Sequence, residues 1–331
     1  MGSLLHPTNY TQWHIPLCWA AIDSQCAFAN LGDALSPIII STLSDLPSIH
    51  QNFHSRTTRL AGVGTIAHHL KYGTVHLWGT GVSNAKGFSG QLQREYGRRP
   101  DTQFYVHALR GPLGAEILRK QGITVPAVYG DPVWLLPSII PPAHEKKYEL
   151  GVIVHISELA ERTDNSGAKD AFLRYQIPEE LKGDIKIITT LVKPTFDQIE
   201  SKVKAITACK RIVSTSLHGL VIAETYRIPC LYFRTRGRGV FLSQLDDDSE
   251  KLDFRIRDFY SGLGLSQLLI YRQPRKHFTD WNAVIHAIDQ HWQPIEWSPE
   301  AFLDAFPLPL AFNPLRELAQ LDYALLGQIK F

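Results

Sequence analysis

The run Ser214-Thr215-Ser216-Leu217-His218-Gly219 sets hydroxyls and an imidazole between an apolar strand-like segment and an apolar helix-like one. At the C-terminal end of a parallel strand, the next helix offers free N–H groups and the positive end of its dipole. Ser214, Ser216 and His218 in that setting form a candidate anion site, and Gly219 permits close approach of a ligand. The plain alternative is that Ser216 caps the helix and His218 faces solvent. In the run Asn30-Leu31-Gly32-Asp33, an amide and a carboxylate flank one glycine ahead of Pro37, so both side chains can project into one cleft. The alternative there is that Asp33 is an ordinary N-cap. Arg110 stands at a strand end, where a guanidinium can clamp a carboxylate or phosphate with two parallel hydrogen bonds. Asp131 ends the next strand-like piece, and Arg234, Arg236 and Arg238 share a glycine-rich turn that is either a cationic binding loop or a solvated surface turn.

Two glycine turns, 61–65 and 78–82, look like phosphate loops, but neither completes a GxGxxG or P-loop pattern. They read as tight strand-to-helix turns, with Gly79 and Gly81 in acceptor-binding or structural roles. The acidic run Asp246-Asp247-Asp248 lies among Ser249, Glu250 and Lys251 and reads as a solvated loop rather than a metal site.

Each candidate follows a short apolar run, and the spacing of those runs sets the fold. The first half predicts strands at 15–19, 75–78, 102–109 and 127–129, with helices at 35–43 and 111–121. The stretch 137–149 combines proline with charge and lacks periodicity, which marks a linker. The second half restarts with strands at 150–155, 185–190, 211–214 and 230–233 and helices at 196–208 and 220–226. Alternating strands and helices are the signature of a parallel sheet. The expected fold is α/β: two Rossmann-like domains facing a cleft. They comprise residues 1–141 (acceptor side), a linker at 142–149, residues 150–299 (donor side), and a helical C-terminal segment 300–331 packing back on the first domain.

Composition agrees with two cores. The chain has 331 residues, 44% of them hydrophobic and 20% charged, against roughly 150 residues for one ordinary domain. A net charge of +2 gives no general basic field, so nucleic acid is not an expected partner. Cys18, Cys26, Cys209 and Cys230 show neither CxxC pairing nor metal-ligand spacing and read as reduced thiols of a cytosolic protein. No basic, then apolar, leader opens the chain, and no apolar run reaches the roughly 18–20 residues that span a bilayer. The expected location is the cytoplasm, with at most peripheral association at the inner face of the membrane.

Taken in order, five of these elements resemble the polysaccharide pyruvyl transferase family, and most nearly its bacterial exopolysaccharide ketal-pyruvate branch. They are residues 30–37 (NLGDALSP), 78–81 (WGTG), 109–112 (LRGP), 130–132 (GDP) and 216–219 (SLHG) continuing to Ile228-Pro229. The resemblance implies a two-domain architecture similar to GT-B glycosyltransferases, with the active site in the cleft. It implies phosphoenolpyruvate as donor, and as acceptor a sugar of a polysaccharide repeat unit carried on a lipid. Two departures stand out. Relatives usually carry Gly where Arg227 stands, and some branches carry Arg where this chain has Ser216.

The implied reaction needs arginines for the donor's carboxylate and phosphate, an acid to protonate the methylene, and a base for the sugar hydroxyl. It needs no metal or redox cofactor. On this reading His218 and Asp33 are catalytic; Arg110, Ser214, Ser216, Gly219, Arg234, Arg236 and Arg238 bind the donor; Asn30, Gly32, Gly79, Gly81 and Asp131 bind the acceptor or shape the site. A nucleotide-sugar glycosyltransferase on the same frame, or a glycan-binding protein without catalysis, are the competing readings.

Overall fold

The computed structural model describes residues 6–9, 12–22, 27–83, 97–247 and 251–331. Cys26, Asp248, Ser249 and Glu250 lie outside them.

The first sheet contains β1 (His6–Asn9), β2 (Gln12–Cys18), β4 (Ser48–His50), β5 (Arg59–Ala61), β6 (Gly73–Trp78) and β7 (Thr102–Ala108). A two-residue strand, β3 (Ala29–Asn30), leaves this sheet and leads into helix α1 (Leu31–Ser44). The parallel strands lie in the order β4-β2-β5-β6-β7, with β1 antiparallel along the start of β2. Growth of the sheet therefore reverses between β2 and β5.

The second sheet repeats the plan with β8 (Leu150–Val154), β9 (Ile185–Thr189), β11 (Ile212–Ser214), β12 (Cys230–Arg234), β13 (Gly239–Gln244) and β14 (Gln267–Arg272). Its order is β9-β8-β11-β12-β14, closed by antiparallel β13, so growth reverses between β8 and β11. Such a reversal opens a crevice beyond the C-terminal ends of the strands, where α/β sheets bind ligands. Every residue of β5, β8 and β11 is buried, as expected of parallel strands covered on both faces.

Helices α2 (Pro112–Arg119), α3 (Phe196–Thr207), α4 (Leu217–Thr225), α5 (Phe254–Gly262) and α6 (Trp281–His291) flank these sheets. The two halves are joined as well as apposed. β3 pairs antiparallel with β10 (Leu191–Val192), and Leu31 N–H donates to Thr190 O at 2.8 Å. One apolar cluster runs through both, taking Leu17, Ile38 and Trp78 from the first half and Ile153, Leu217 and Phe259 from the second.

The C-terminal segment was expected to be helical. It is so only over α7 (Glu300–Asp304) and α8 (Tyr323–Leu326); proline and glycine-free polar stretches between them follow the surface of α1. Trp78 Nε1 donates to Phe302 O at 2.9 Å, and Ala311 N–H to Leu43 O at 2.7 Å. The piece at 127–129 makes only an isolated bridge, Leu109 to Tyr129, in place of the expected strand. No described helix is long and apolar enough to cross a membrane.

Candidate active site in the crevice between the sheets

Helix α1 begins at Leu31, four residues before the expected start, because Asn30 caps it: its Oδ1 accepts from Gly32 N–H at 3.2 Å. Asp33 is thereby free of the capping role that sequence alone left open. Pro37 falls in the second turn rather than the first and supplies no N–H for the Asp33 carbonyl. Asp33 is partly buried, and burial pushes its carboxyl up to about 7; Arg255 pulls the other way and Asp131 adds to the rise. The turn after β5 passes close beside it. Gly64 has φ +111, and a Cβ there would lie 2.9 Å from Asp33 Oδ1.

Three turns of the first half are laced together. Ser36 Oγ accepts from Val63 N–H at 3.1 Å, Thr80 Oγ1 and Gly81 N–H both donate to Gly64 O at 2.8 Å, and Arg110 N–H donates to Thr80 O. The guanidinium of Arg110 lies over Gly81, where a Cβ would overlap it. It is fully buried, donates from Nη1 to Thr65 Oγ1 at 2.7 Å, and faces Asp258 Oδ2 of α5 from Nε at 3.6 Å. Nε and Nη2 of Arg110 have no hydrogen-bond acceptor among the described residues. Asp258 is anchored through Oδ1, which accepts from Gly114 N–H at 2.8 Å.

Asp131 caps the 3₁₀ turn at Pro132–Ser138 through Oδ1, leaving Oδ2 unpartnered. Its full burial pushes it up to about 6 against the pull of Arg110. Gly79, at φ +78, is packed on Pro132 and Phe302, a structural rather than a ligand-facing position.

From the second half, Ser214 Oγ accepts from Ser216 N–H at 3.0 Å and donates to Ser216 O at 2.8 Å, closing the turn after β11. Thr215 Oγ1 accepts from His155 N–H at 2.8 Å, tying that turn to the end of β8. Ser216 occupies the N-cap position of α4, but its side chain makes no capping bond. Gly219 is packed on Ser214 and Ile153 and brings α4 onto the sheet. Of the residues of α4, His218 alone is not buried.

The His218 ring occupies the space where a Cβ of Gly32 would stand, which joins the two halves at this point. Its Nε2 is buried without a hydrogen-bond partner among the described residues. Burial, then Arg110, Arg255 and His155, push it down to about 3, so the ring is neutral.

Sequence reasoning missed His155, Thr65, Arg255 and Asp258. Asp253 caps α5 through Arg255 N–H, and its carboxylate holds the Arg255 side chain at 2.6 Å. Arg255 and Asp258 are three residues apart and so share a helix face. Asp258 reaches Arg110, while Arg255 reaches Asp33 and His218 electrostatically. The readable signal was the cap Asp253 followed by two cations and an acid at helical spacing. The 234–238 turn divides: Arg234 is partly buried at the end of β12, whereas Arg236 and Arg238 are exposed. None of the contacts that gather His218, Asp33 and Arg110 includes Arg234, Arg236 or Arg238.

The crevice thus presents buried guanidinium N–H groups, a neutral imidazole and a carboxyl that titrates near neutrality, all at the C-terminal ends of parallel strands. That is an anion-binding transferase type of site on an α/β frame. The family model for polysaccharide pyruvyl transferase matches residues 30–236, and the chain belongs to that family. No curated protein and no solved structure matches it.

Proposed function

We propose that the protein transfers the pyruvyl group of phosphoenolpyruvate to a sugar of a polysaccharide repeat unit and closes a cyclic ketal, as in the bacterial exopolysaccharide branch. The observation that carries the reading is the unpartnered Nε2 of His218 seated between Asp33 and the under-satisfied guanidinium of Arg110. Buried donors without acceptors are costly unless a ligand completes them. A trianionic donor with a carboxylate and a phosphate matches two arginines and two helix N-termini.

In the empty site His218 is neutral; a bound donor raises its proton affinity, because an anion nearby favours the charged imidazolium. Protonated His218 then delivers its proton to the methylene carbon while Asp33 takes the proton of the attacking hydroxyl. Arg110 and Arg255 hold the donor's anionic groups, and Arg255 does what Ser216 cannot in a chain that lacks arginine there. Phosphate leaves the tetrahedral adduct, and a second hydroxyl of the same sugar closes the ketal. Ser214 and Gly219 shape the turn rather than touch the donor.

The frame is read as two Rossmann-like units divided near 142–149 and facing a cleft as in GT-B enzymes. The reaction is metal-independent, and it takes place at the cytoplasmic side of the membrane on a lipid-linked acceptor. A thermal-shift series tests the donor: stabilisation by phosphoenolpyruvate and none by UDP-, GDP- or CMP-sugars is expected. The reverse pattern would assign a glycosyltransferase.

A further inference from the structure

The outer edge of the second sheet has the features of half an interface. β13 pairs with β14 on one side, from Gly239 with Arg272 to Gln244 with Gln267, and no described strand pairs with its other side. In an antiparallel ladder alternate residues turn N–H and C=O outward, so a strand of this length leaves about three residues with open backbone groups. Natural sheets protect such edges with charge, proline or brevity. This edge instead carries Val240, Phe241 and Leu242 in succession, 38%, 40% and 53% exposed. Arg272 covers one face of Phe241, 3.8 Å from the ring centroid. Charge is confined to the two ends and has opposite sign: exposed Arg236 and Arg238 precede the strand, and exposed Asp246 and Asp247 follow it.

We propose that β13 is the contact between two copies of this chain, paired antiparallel about a two-fold axis passing between Phe241 and Leu242. Antiparallel pairing sets the basic end of one copy against the acidic end of the other, with Arg236 opposite the partner's Asp247 and Phe241 opposite the partner's Leu242. The contact is isologous, so both ends gain the same charge pairs. Backbone groups of both edges are satisfied as the two sheets become one. An anionic membrane fits the edge less well, because its surface would repel Asp246 and Asp247 while attracting the arginines. This inference does not depend on which donor or acceptor the crevice takes.

The test uses the full chain in sedimentation velocity at micromolar concentration, with circular dichroism as the folding check. The wild type is expected to sediment as a dimer. Arg236→Asp with Arg238→Asp makes both ends acidic, and Asp246→Arg with Asp247→Arg makes both ends basic. Each double variant alone is expected to be monomeric, and an equimolar mixture is expected to restore the dimer. Leu242→Lys, which sets like charges beside the axis, is expected to stay monomeric in any mixture. A wild type that remains monomeric, including one that instead floats with phosphatidylserine vesicles, overturns the proposal. So does a dimer that all three variants leave intact, or two double variants that do not associate when mixed.

Discussion

Gly32→Ala is the sharpest probe of the crevice. The added Cβ would overlap Nδ1, Cγ and Cε1 of His218, all well inside the 3.4 Å at which ordinary contact begins. Restoring normal carbon contacts requires the imidazole to retreat by on the order of 1.5 Å. Displacements of about 1 Å can cost roughly 10²-fold in a positioned reaction, so turnover should fall by at least about 100-fold. Stability should not follow. Gly32 lies in the first turn of α1 with an ordinary φ, and Ala is favoured over Gly in helices by about 0.5–1 kcal/mol. The variant should therefore melt near the wild-type temperature while losing phosphate release from phosphoenolpyruvate. By NMR its His218 should titrate well above the wild-type value of about 3, because the ring is driven out towards water. Gly183→Ala, whose Cβ would meet nothing within 4 Å, is the control and should leave both readouts unchanged. A Gly32→Ala protein with turnover within about threefold of wild type would refute the claim that His218 must rest on Gly32.

Other substitutions report on the neighbouring groups. Asp33 in the folded chain holds its proton up to about 7, against 3.8 when unfolded, so stability should fall as pH rises between those values. Asp33→Asn removes that slope: its melting temperature should exceed wild type above pH 7 and match it below pH 4, while turnover is lost. Gly81→Ala would drive Arg110 off its seat beside Thr65, so KM for phosphoenolpyruvate should rise at least about tenfold, consistent with losing one charge-assisted contact. Arg227 holds φ 52, a left-handed conformation. Arg227→Gly should raise the urea midpoint, worth up to about 1 kcal/mol, with turnover unaffected.

The chemistry of the crevice was readable where a distinctive side chain sits at a strand-to-helix junction, as at Asp33, Arg110, Asp131 and His218. Their company was not. Asp258 meets Arg110 across 148 positions of sequence and the gap between two sheets, and nothing local in either segment announces the pairing. β4 and β5 have three residues each, too few for alternation to register. β5 also opens on Arg59, fully buried among the carbonyls of Thr57, Tyr72, Phe53 and Lys71. A pattern reading takes such a residue for surface. The serines of the 214–216 turn misled for a related reason: small hydroxyl residues serve as readily to close a turn on itself as to bind an anion. Arg236 and Arg238 were read by charge alone, and exposure on the β12–β13 turn separates them from the crevice.

The account stands or falls on transfer itself. The full chain should be incubated with phosphoenolpyruvate and a panel of lipid-linked glycans, and the acceptor weighed by mass spectrometry alongside a phosphate assay. The account predicts that one acceptor gains the mass of a single pyruvyl ketal, with one phosphate released per transfer, and that His218→Ala abolishes both. An acceptor that gains a glycosyl unit from a nucleotide sugar, while phosphoenolpyruvate stays intact with every glycan, would contradict it.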